Sequence, residues 1–208
     1  MEQKPYKVLV WGDSIGRQNE TPWPTVLQQH FQVSCYTGRK MEVVNIAQCG
    51  LAGVNGQYKF EEEVKPEQPD LVIIQFGFND LRHDENYGAH AIGNPDQYEQ
   101  AMVNMIRNAK SIGAEVLVLG NHNFRFGSLR LYPTGLNGDE TVEIYRRRAE
   151  HAANTEGAGY INMADALAEQ DLTPLTATCD GCHLSPYGVN VYAMTVARYI
   201  LEKQLMQA

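Results

Sequence analysis

The sequence predicts a three-layer α/β/α fold built on a five-stranded parallel β-sheet. Its 208 residues suit one domain with one core, and we therefore treat residues 1–208 as a single domain. Five short apolar runs lack the strict alternation of half-exposed strands, as expected of strands buried on both faces of a parallel sheet. Stretches with helical apolar periodicity separate these runs. Alternating strands and helices form right-handed units that cover both faces of the sheet.

The predicted elements follow one another in a regular order. The strands are the apolar runs Val8 to Trp11, Val43 to Ile46, Leu71 to Phe76, Val116 to Leu119 and Tyr160 to Met163. Helices after the third and fourth strands carry apolar stripes, which are Tyr98, Met102, Met105, Ile106, Ala109 and Ile112 in one and Val142, Tyr145, Ala149, Ala152 and Ala153 in the other. The last helix begins at Ser185-Pro186, an N-cap followed by proline. The run Arg146-Arg147-Arg148 is expected to face the solvent.

Composition and charge exclude several classes of partner. Lys and Arg number 17 against 25 Asp and Glu, which gives a net charge of -8. Such a surface repels phosphate backbones and anionic lipid headgroups, so we expect neither a nucleic acid nor a membrane as partner. No apolar run is long enough to span a bilayer, and no signal-like stretch follows Met1. We therefore expect a cytoplasmic protein, or a periplasmic or secreted one if a signal peptide has been removed.

Two motifs at opposite ends of the chain predict nucleophilic catalysis. The first, Gly12-Asp13-Ser14-Ile15-Gly16, places a serine on a tight turn directly after the first strand. The second is Asp180-Gly181-Cys182-His183, in which one turn of chain can bring the Asp180 carboxylate onto Nδ1 of His183. Nε2 of that histidine is then free to face a serine hydroxyl. Taken singly, the first motif also fits an ordinary turn and the second a surface loop.

Two further loops at the carboxyl ends of strands offer donors for a developing oxyanion. The third strand is followed by Gly77-Phe78-Asn79-Asp80, in which the Asn79 amide provides N–H groups. Gly50, after the second strand, could turn its backbone N–H toward the same point, although a plain turn explains a glycine there equally well. We expect Asp13 and Asp80 to accept backbone hydrogen bonds and order their loops.

Taken together and in this order, these motifs resemble the SGNH (GDSL-type) hydrolases over essentially the whole chain. The resemblance implies that Ser14 is the nucleophile, His183 the base and Asp180 its orienting acid. It also implies an oxyanion hole formed by the N–H groups of Ser14 and Gly50 and the Asn79 side chain. The implied fold has a flavodoxin-like strand order. The implied chemistry is cleavage of carboxylic esters or thioesters, often acetyl groups on sugars, with no metal or cofactor.

The sequence departs from the family pattern at three places, one of which is the pair of cysteines on either side of Asp180. The first motif continues as Ile15-Gly16-Arg17, where many relatives have a small hydroxyl residue before the glycine, and this difference concerns the acyl pocket. After the fourth strand the chain reads Asn121-His122-Asn123-Phe124-Arg125, where relatives often have prolines. We consider Phe78, His122, Phe124 and Arg125 as candidate substrate contacts.

Three other classes of protein share part of this pattern. Gly12-x-Ser14-x-Gly16 also fits the nucleophile elbow of α/β-hydrolases, but only thirteen residues precede Ser14, too few for the strands that fold places before its elbow. A metallophosphoesterase is suggested by Gly120-Asn121-His122-Asn123, yet Asn123 stands where that class would have an acid. A non-catalytic binding module on the same fold is the third alternative, and the complete set of catalytic residues argues against it.

The loops after the third and fourth strands are expected to select the substrate. Residues 81–95 and 121–138 form connections longer than the usual 2–6 residues, and they mix aromatic with polar side chains. This mixture favours a short acyl group, acetyl above all, on a carbohydrate or another polar alcohol. The alternative is an acyl thioesterase or lysophospholipase with the same triad. The pair Cys179-x-x-Cys182 can be two free thiols or a local disulfide.

Overall fold

The computed structural model describes residues 4–33, 39–82, 92–123, 136, 138–173 and 177–207. Its five strands are β1 (Tyr6–Gly12), β2 (Met41–Asn45), β3 (Leu71–Gln75), β4 (Glu115–Gly120) and β5 (Gly159–Asn162). They form one sheet in the order β2-β1-β3-β4-β5, and every neighbouring pair is parallel. The predicted flavodoxin-like order is confirmed. The strand order reverses between β1 and β3, where open α/β sheets bind their ligands.

Helices cover both faces of this sheet. They are α1 (Trp23–Val33), α2 (Gly53–Gly56), α3 (Pro95–Ser111), α4 (Gly138–Thr155), α5 (Met163–Ala168) and α6 (Pro186–Glu202). An irregular helical segment continues α2 as far as Glu67. The helices α2, α3 and α4 pack together as one layer, and α1, α5 and α6 pack together as the other. None of the helices in the described residues is long and apolar enough to cross a membrane.

The burial pattern explains why the strand sequences do not alternate. All five residues of the central strand β3 are buried, and six of the seven residues of β1 are buried. The edge strand β5 is only half-buried. The apolar stripes predicted for α3 and α4 lie in the core except for Ile112, which is partly buried. Helix α6 begins as predicted, since the Ser185 hydroxyl accepts the Gly188 N–H at 3.2 Å.

The expectation that all three consecutive arginines face the solvent is wrong for Arg146. This side chain is buried, whereas Arg147 is exposed. The Arg146 guanidinium donates to the carbonyl oxygen of Asn121 at 2.8 Å and to Oδ1 of Asn123 at 2.9 Å. Arg146 lies four residues after the buried Val142, so helical periodicity places it on the apolar side of α4. These hydrogen bonds compensate the guanidinium for its burial, and they also hold the loop after β4 in place.

A chain of buried amides connects the carboxyl ends of β1, β3 and β4. Nδ2 of Asn121 donates to the Phe76 carbonyl at 3.0 Å, so its Oδ1 must accept from Nε2 of Gln75, at 2.6 Å. The Gln75 side chain also interacts with the buried Asp13 carboxyl and lowers its pKa, against the larger effect of burial. Oδ1 of Asp13 accepts the Ile15 N–H at 3.0 Å. Within the described residues, Oδ2 of Asp13 and Oε1 of Gln75 have no donor.

Burial decides the protonation state of Asp13. A carboxyl that carries its proton on Oδ2 can still accept the Ile15 N–H at Oδ1. Burial favours this form, because removal from water penalises the carboxylate and raises the pKa of Asp13 to about 7. Asp13 thus orders the turn before Ser14, as the sequence predicted.

We expect Asp13→Asn to change how stability depends on pH. The folded-state pKa of Asp13 is raised, so its stabilisation is present below about pH 4 and is lost as the pH rises through about 7. An asparagine side chain does not ionise in this pH range, so the variant lacks this dependence on pH. The free energy of unfolding of the variant, relative to wild type, should therefore grow on the order of 1 kcal/mol per pH unit up to about pH 7. Urea unfolding of both proteins from pH 5 to 8 measures this, and a constant difference would contradict it.

Candidate active site

The serine predicted as nucleophile lies where β1 leaves the sheet. Ser14 opens a single 3₁₀ turn, Ser14–Gly16, which Asp13 caps. The turn is closed by backbone hydrogen bonds from Arg17 and Gln18 to the Ser14 carbonyl, at 3.0 and 2.7 Å. Only 8% of Ser14 is exposed. This local structure holds the hydroxyl at the carboxyl edge of the sheet, next to the point where strand order reverses.

The acid–base motif lies in a tight loop that precedes α6. A bridge between Thr178 and Leu184 closes the loop, and the Cys179 N–H donates to the His183 carbonyl at 2.8 Å. Inside it, Oδ1 of Asp180 accepts the backbone N–H groups of Cys182 and His183, at 2.9 and 2.7 Å. The same carboxylate therefore shapes the loop and faces the histidine ring.

A chain of two hydrogen bonds joins the three predicted triad residues. Nδ1 of His183 lies 2.6 Å from Oδ2 of Asp180, and Nε2 lies 2.9 Å from Oγ of Ser14. Partial burial opposes ionisation of Asp180, but the hydrogen bonds from the His183 ring and the two backbone N–H groups outweigh it and lower its pKa. An ionised Asp180 accepts Nδ1–H, which leaves Nε2 to accept the Ser14 hydroxyl. This is the geometry of a base-activated nucleophile.

The two loops predicted to carry oxyanion donors meet through Asn79. Nδ2 of Asn79 donates to the Leu51 carbonyl at 3.1 Å, directly beside Gly50. Gly50 has a φ of +77°, a conformation that favours glycine. Within the described residues, the backbone N–H groups of Ser14 and Gly50 donate no hydrogen bond. Asn79 uses one amide hydrogen for Leu51, and its second amide hydrogen is the one available to an oxyanion.

Asp80 joins the loop that contains Asn79 to the loop that contains Gly50. Its buried carboxylate accepts the N–H of Gly53 at 2.8 Å and of Val54 at 3.0 Å, the first two residues of α2. Burial raises the pKa of Asp80 to about 6, against these hydrogen bonds, which lower it. The expected loop-ordering role of Asp80 is confirmed. The N–H groups that Asp80 accepts, at the start of α2, follow Gly50 by only a few residues. The contact therefore also holds the loop that contains Gly50.

Two of the four candidate substrate contacts lie beneath the site. His122 is fully buried, so the expectation that it touches substrate is wrong. Its Nδ1 lies 2.7 Å from the Tyr192 hydroxyl and its Nε2 lies 2.8 Å from the Cys182 carbonyl. Phe78 is only 5% exposed and packs edge-on against the His122 ring, with centroids 5.0 Å apart. The other two candidates, Phe124 and Arg125, lie outside the described residues.

The two cysteines that flank Asp180 are free thiols, so the local disulfide left open by the sequence is not formed. Cys182 is buried, and burial raises the pKa of its thiol. Cys179 is exposed and its Sγ lies 3.3 Å from the His183 carbonyl oxygen. Among the residues that the structure describes, no group of three or more His, Cys, Asp and Glu side chains is placed to hold a metal ion.

Several residues that support the site were not recognised in the sequence. Gln75 and Asn121 are amide residues at the ends of buried strands. An amide at the end of an otherwise apolar strand is the sequence signal that could have indicated them. Tyr192 lies on the apolar side of α6, where its ring is explained by packing alone. Its hydroxyl contact with His122 depends on a residue 70 positions away, and no local pattern indicates that pair.

Comparison with known proteins identifies the family of this chain. The family model described as GDSL-like lipase/acylhydrolase matches residues 10–191. Esterase TesA of Pseudomonas aeruginosa is 32% identical over 117 residues, which cover 54% of this chain and 53% of the relative. The match thus spans about half the length of that curated relative.

Solved structures match over nearly the whole chain. The acetylxylan esterase Axe2 of Geobacillus stearothermophilus has a TM-score of 0.78 and 21% identity, covering 96% of both chains. A lipase/acylhydrolase from Enterococcus faecalis has a TM-score of 0.78 and 20% identity, covering 95% of this chain and 96% of that one. At this level of identity the structures show a shared fold. The family match shows more, namely that this chain belongs to the GDSL-like lipase/acylhydrolases, the SGNH hydrolases.

Proposed function

We propose that the protein is a serine esterase that hydrolyses short-chain carboxylic esters, principally acetyl esters of a carbohydrate or another polar alcohol. The observation that carries this proposal is the chain of hydrogen bonds from Asp180 through His183 to Ser14, at 2.6 and 2.9 Å. Membership of the GDSL-like lipase/acylhydrolase family supports ester hydrolysis as the reaction.

In the first half of the reaction, Ser14 becomes acylated. Its Oγ attacks the ester carbonyl carbon while Nε2 of His183 takes the hydroxyl proton, and Asp180 stabilises the resulting imidazolium. The carbonyl oxygen gains a negative charge, which the N–H groups of Ser14, Gly50 and Asn79 stabilise. The bond to the leaving oxygen then breaks, and His183 returns its proton to the departing alcohol.

In the second half, water releases the acid. Nε2 of His183 takes a proton from a water molecule, whose oxygen attacks the acyl carbon. The same donors stabilise the second oxyanion. When the bond to Ser14 breaks, His183 protonates Oγ, so the free enzyme is restored and one ester has become one acid and one alcohol.

The substrate class is supported by the sequence of the long loops and by the solved relatives. Residues 121–138 include Phe124, Arg125 and Tyr132, and aromatic faces mixed with polar donors suit a sugar better than a lipid tail. Structures of similar fold include acetylxylan esterases. An acyl thioesterase or lysophospholipase would use the same triad and differ in the length of the acyl chain.

Activity should therefore depend on Ser14 and decline with acyl length. We expect 4-nitrophenyl acetate to be the best of a series of 4-nitrophenyl esters up to the dodecanoate, and acetate to be released from acetylated xylan. Ser14→Ala should lower kcat by roughly 10⁴-fold or more, since the nucleophile is lost. Ser111→Ala, which removes an exposed serine of α3, is the matched control and should keep wild-type activity.

Two results would contradict this proposal in different ways. A preference for long acyl chains or for acyl thioesters would overturn the acetyl and carbohydrate assignment while leaving the triad in place. Ester hydrolysis by folded Ser14→Ala protein at the wild-type rate would overturn the serine mechanism itself.

Asn79→Ala should separate stabilisation of the oxyanion from folding. Loss of one oxyanion donor typically lowers kcat by ~10²–10³-fold. Loss of the hydrogen bond from Asn79 to the Leu51 carbonyl should lower the free energy of unfolding by only about 1 kcal/mol. Steady-state kinetics with 4-nitrophenyl acetate and urea unfolding measure the two effects. A folded variant whose kcat stays within tenfold of wild type would exclude Asn79 from the oxyanion hole.

A further inference from the structure

The three residues that follow β4 are hydrogen-bonded in three different directions. Asn121 reaches the end of β3 through the Phe76 carbonyl, and Asn123 accepts from Arg146 of α4. His122, between them, is fully buried and reaches the acid–base loop, where Nε2 lies 2.8 Å from the Cys182 carbonyl oxygen. A histidine thus lies behind the predicted catalytic histidine and contacts the residue just before it.

The partners of His122 determine which of its nitrogens carries the proton. The Cys182 carbonyl can only accept, so Nε2 of His122 is the protonated nitrogen. Burial lowers the pKa of His122 to about 4, so the ring is neutral near pH 7 and Nδ1 has a free lone pair. The Tyr192 hydroxyl, at 2.7 Å, must then donate to Nδ1. All the hydrogen bonds of this chain therefore point the same way: Tyr192 donates to His122, and His122 donates to Cys182.

The carbonyl that His122 holds belongs to the same peptide group as the His183 N–H. That N–H donates to Oδ1 of Asp180 at 2.7 Å, while the carbonyl accepts from His122 at 2.8 Å. The peptide plane between Cys182 and His183 is therefore held at both ends. Its orientation sets the direction in which the His183 side chain leaves the backbone, and hence the 2.9 Å contact of Nε2 with Ser14.

We propose that His122 is a positioning residue for ester hydrolysis, which with Tyr192 holds the Cys182–His183 peptide group so that the His183 imidazole reaches Ser14. This inference rests on the proposed function, because it assigns His122 a role in that reaction. It also explains why a polar side chain lies between the rings of Phe78 and Tyr192.

The neutral imidazole suits this position better than the other donors. Lysine or arginine would add a buried positive charge near His183, which must itself become positive during the reaction. An apolar residue would leave the buried Cys182 carbonyl without this hydrogen-bond donor, which is unfavourable. A glutamine can place its Nε2 near the position of the imidazole Nε2, so it preserves the donor and loses only the contact with Tyr192.

Three variants test this role. We expect His122→Phe to lower kcat for 4-nitrophenyl acetate by roughly 10–100-fold, because small misplacements of catalytic groups have effects of this size, with KM within about twofold. His122→Gln should recover most of that loss, since it keeps the donor to Cys182. Tyr192→Phe should lower kcat by about fivefold, the effect of one hydrogen bond of about 1 kcal/mol. The rate at which a fluorophosphonate labels Ser14 should also fall, and it should fall most in His122→Phe.

A stability control separates positioning from folding. Met105→Ala truncates a fully buried side chain of α3 and should lower the unfolding temperature markedly, yet it should keep the wild-type kcat well below that temperature. The positioning role is overturned if folded His122→Phe keeps the wild-type kcat and labelling rate, or if His122→Gln is as impaired as His122→Phe. If His122→Phe does not fold, an unchanged kcat in Tyr192→Phe overturns it.

The same measurements test the proposed function separately. Wild-type protein that fails to react with the fluorophosphonate and fails to hydrolyse any ester would overturn the serine esterase proposal. Wild-type protein that reacts normally, together with insensitive His122 and Tyr192 variants, would overturn only the inference about His122.

Discussion

Backbone groups that leave the carboxyl edge of the sheet lose their ladder partners and are buried, so other groups must satisfy them. In this protein buried side chains do so. Asp13 accepts the Ile15 N–H, Asp80 accepts those of Gly53 and Val54, and Arg146 donates to the Asn121 carbonyl. Each of these contacts holds one loop at the edge where Ser14 and His183 meet. The need to pair buried backbone groups thus places the chemical groups of the site. The rest of the fold excludes water from this edge, so that the need arises.

Residues of the same type have different roles because their surroundings differ. Asp180 is partly exposed and accepts three hydrogen bonds, which lower its pKa, and so it is suited to hold an imidazolium. Asp13 is fully buried with one oxygen lacking a donor, and its pKa is raised. The two histidines differ likewise. His183 faces the Ser14 hydroxyl, whereas His122 is enclosed by Tyr192 and Cys182 and stays neutral. Burial and hydrogen bonding therefore separate catalytic groups from those that support them.

The sequence predicted the parts of the site that depend on short spacing. Asp180 and His183 are three residues apart, so a single turn of chain brings them together wherever the loop lies. The prediction for Arg146 was wrong because a run of arginines suggested solvent, although helical periodicity placed it on the apolar side of α4. The prediction for His122 was wrong because its position at a strand end suggested an exposed side chain. Its two partners, Cys182 and Tyr192, lie 60 and 70 residues along the chain, beyond any local pattern.

The amino-acid order by itself determined which segments become strands and helices, because apolar runs and stripes are patterns of neighbouring residues in the sequence. It also determined the identities of Ser14, Asp180, His183, Gly50 and Asn79 as the residues with suitable chemistry, through their place in recognisable motifs. Only the tertiary structure decided that Ser14 and His183, 169 residues apart, lie within a hydrogen bond. Only it decided that His122 lies beneath them and that the Asp13 N–H donates to the Gln75 carbonyl. Such contacts are set by the strand order and by the need to pair buried polar groups, and both are properties of the assembled sheet.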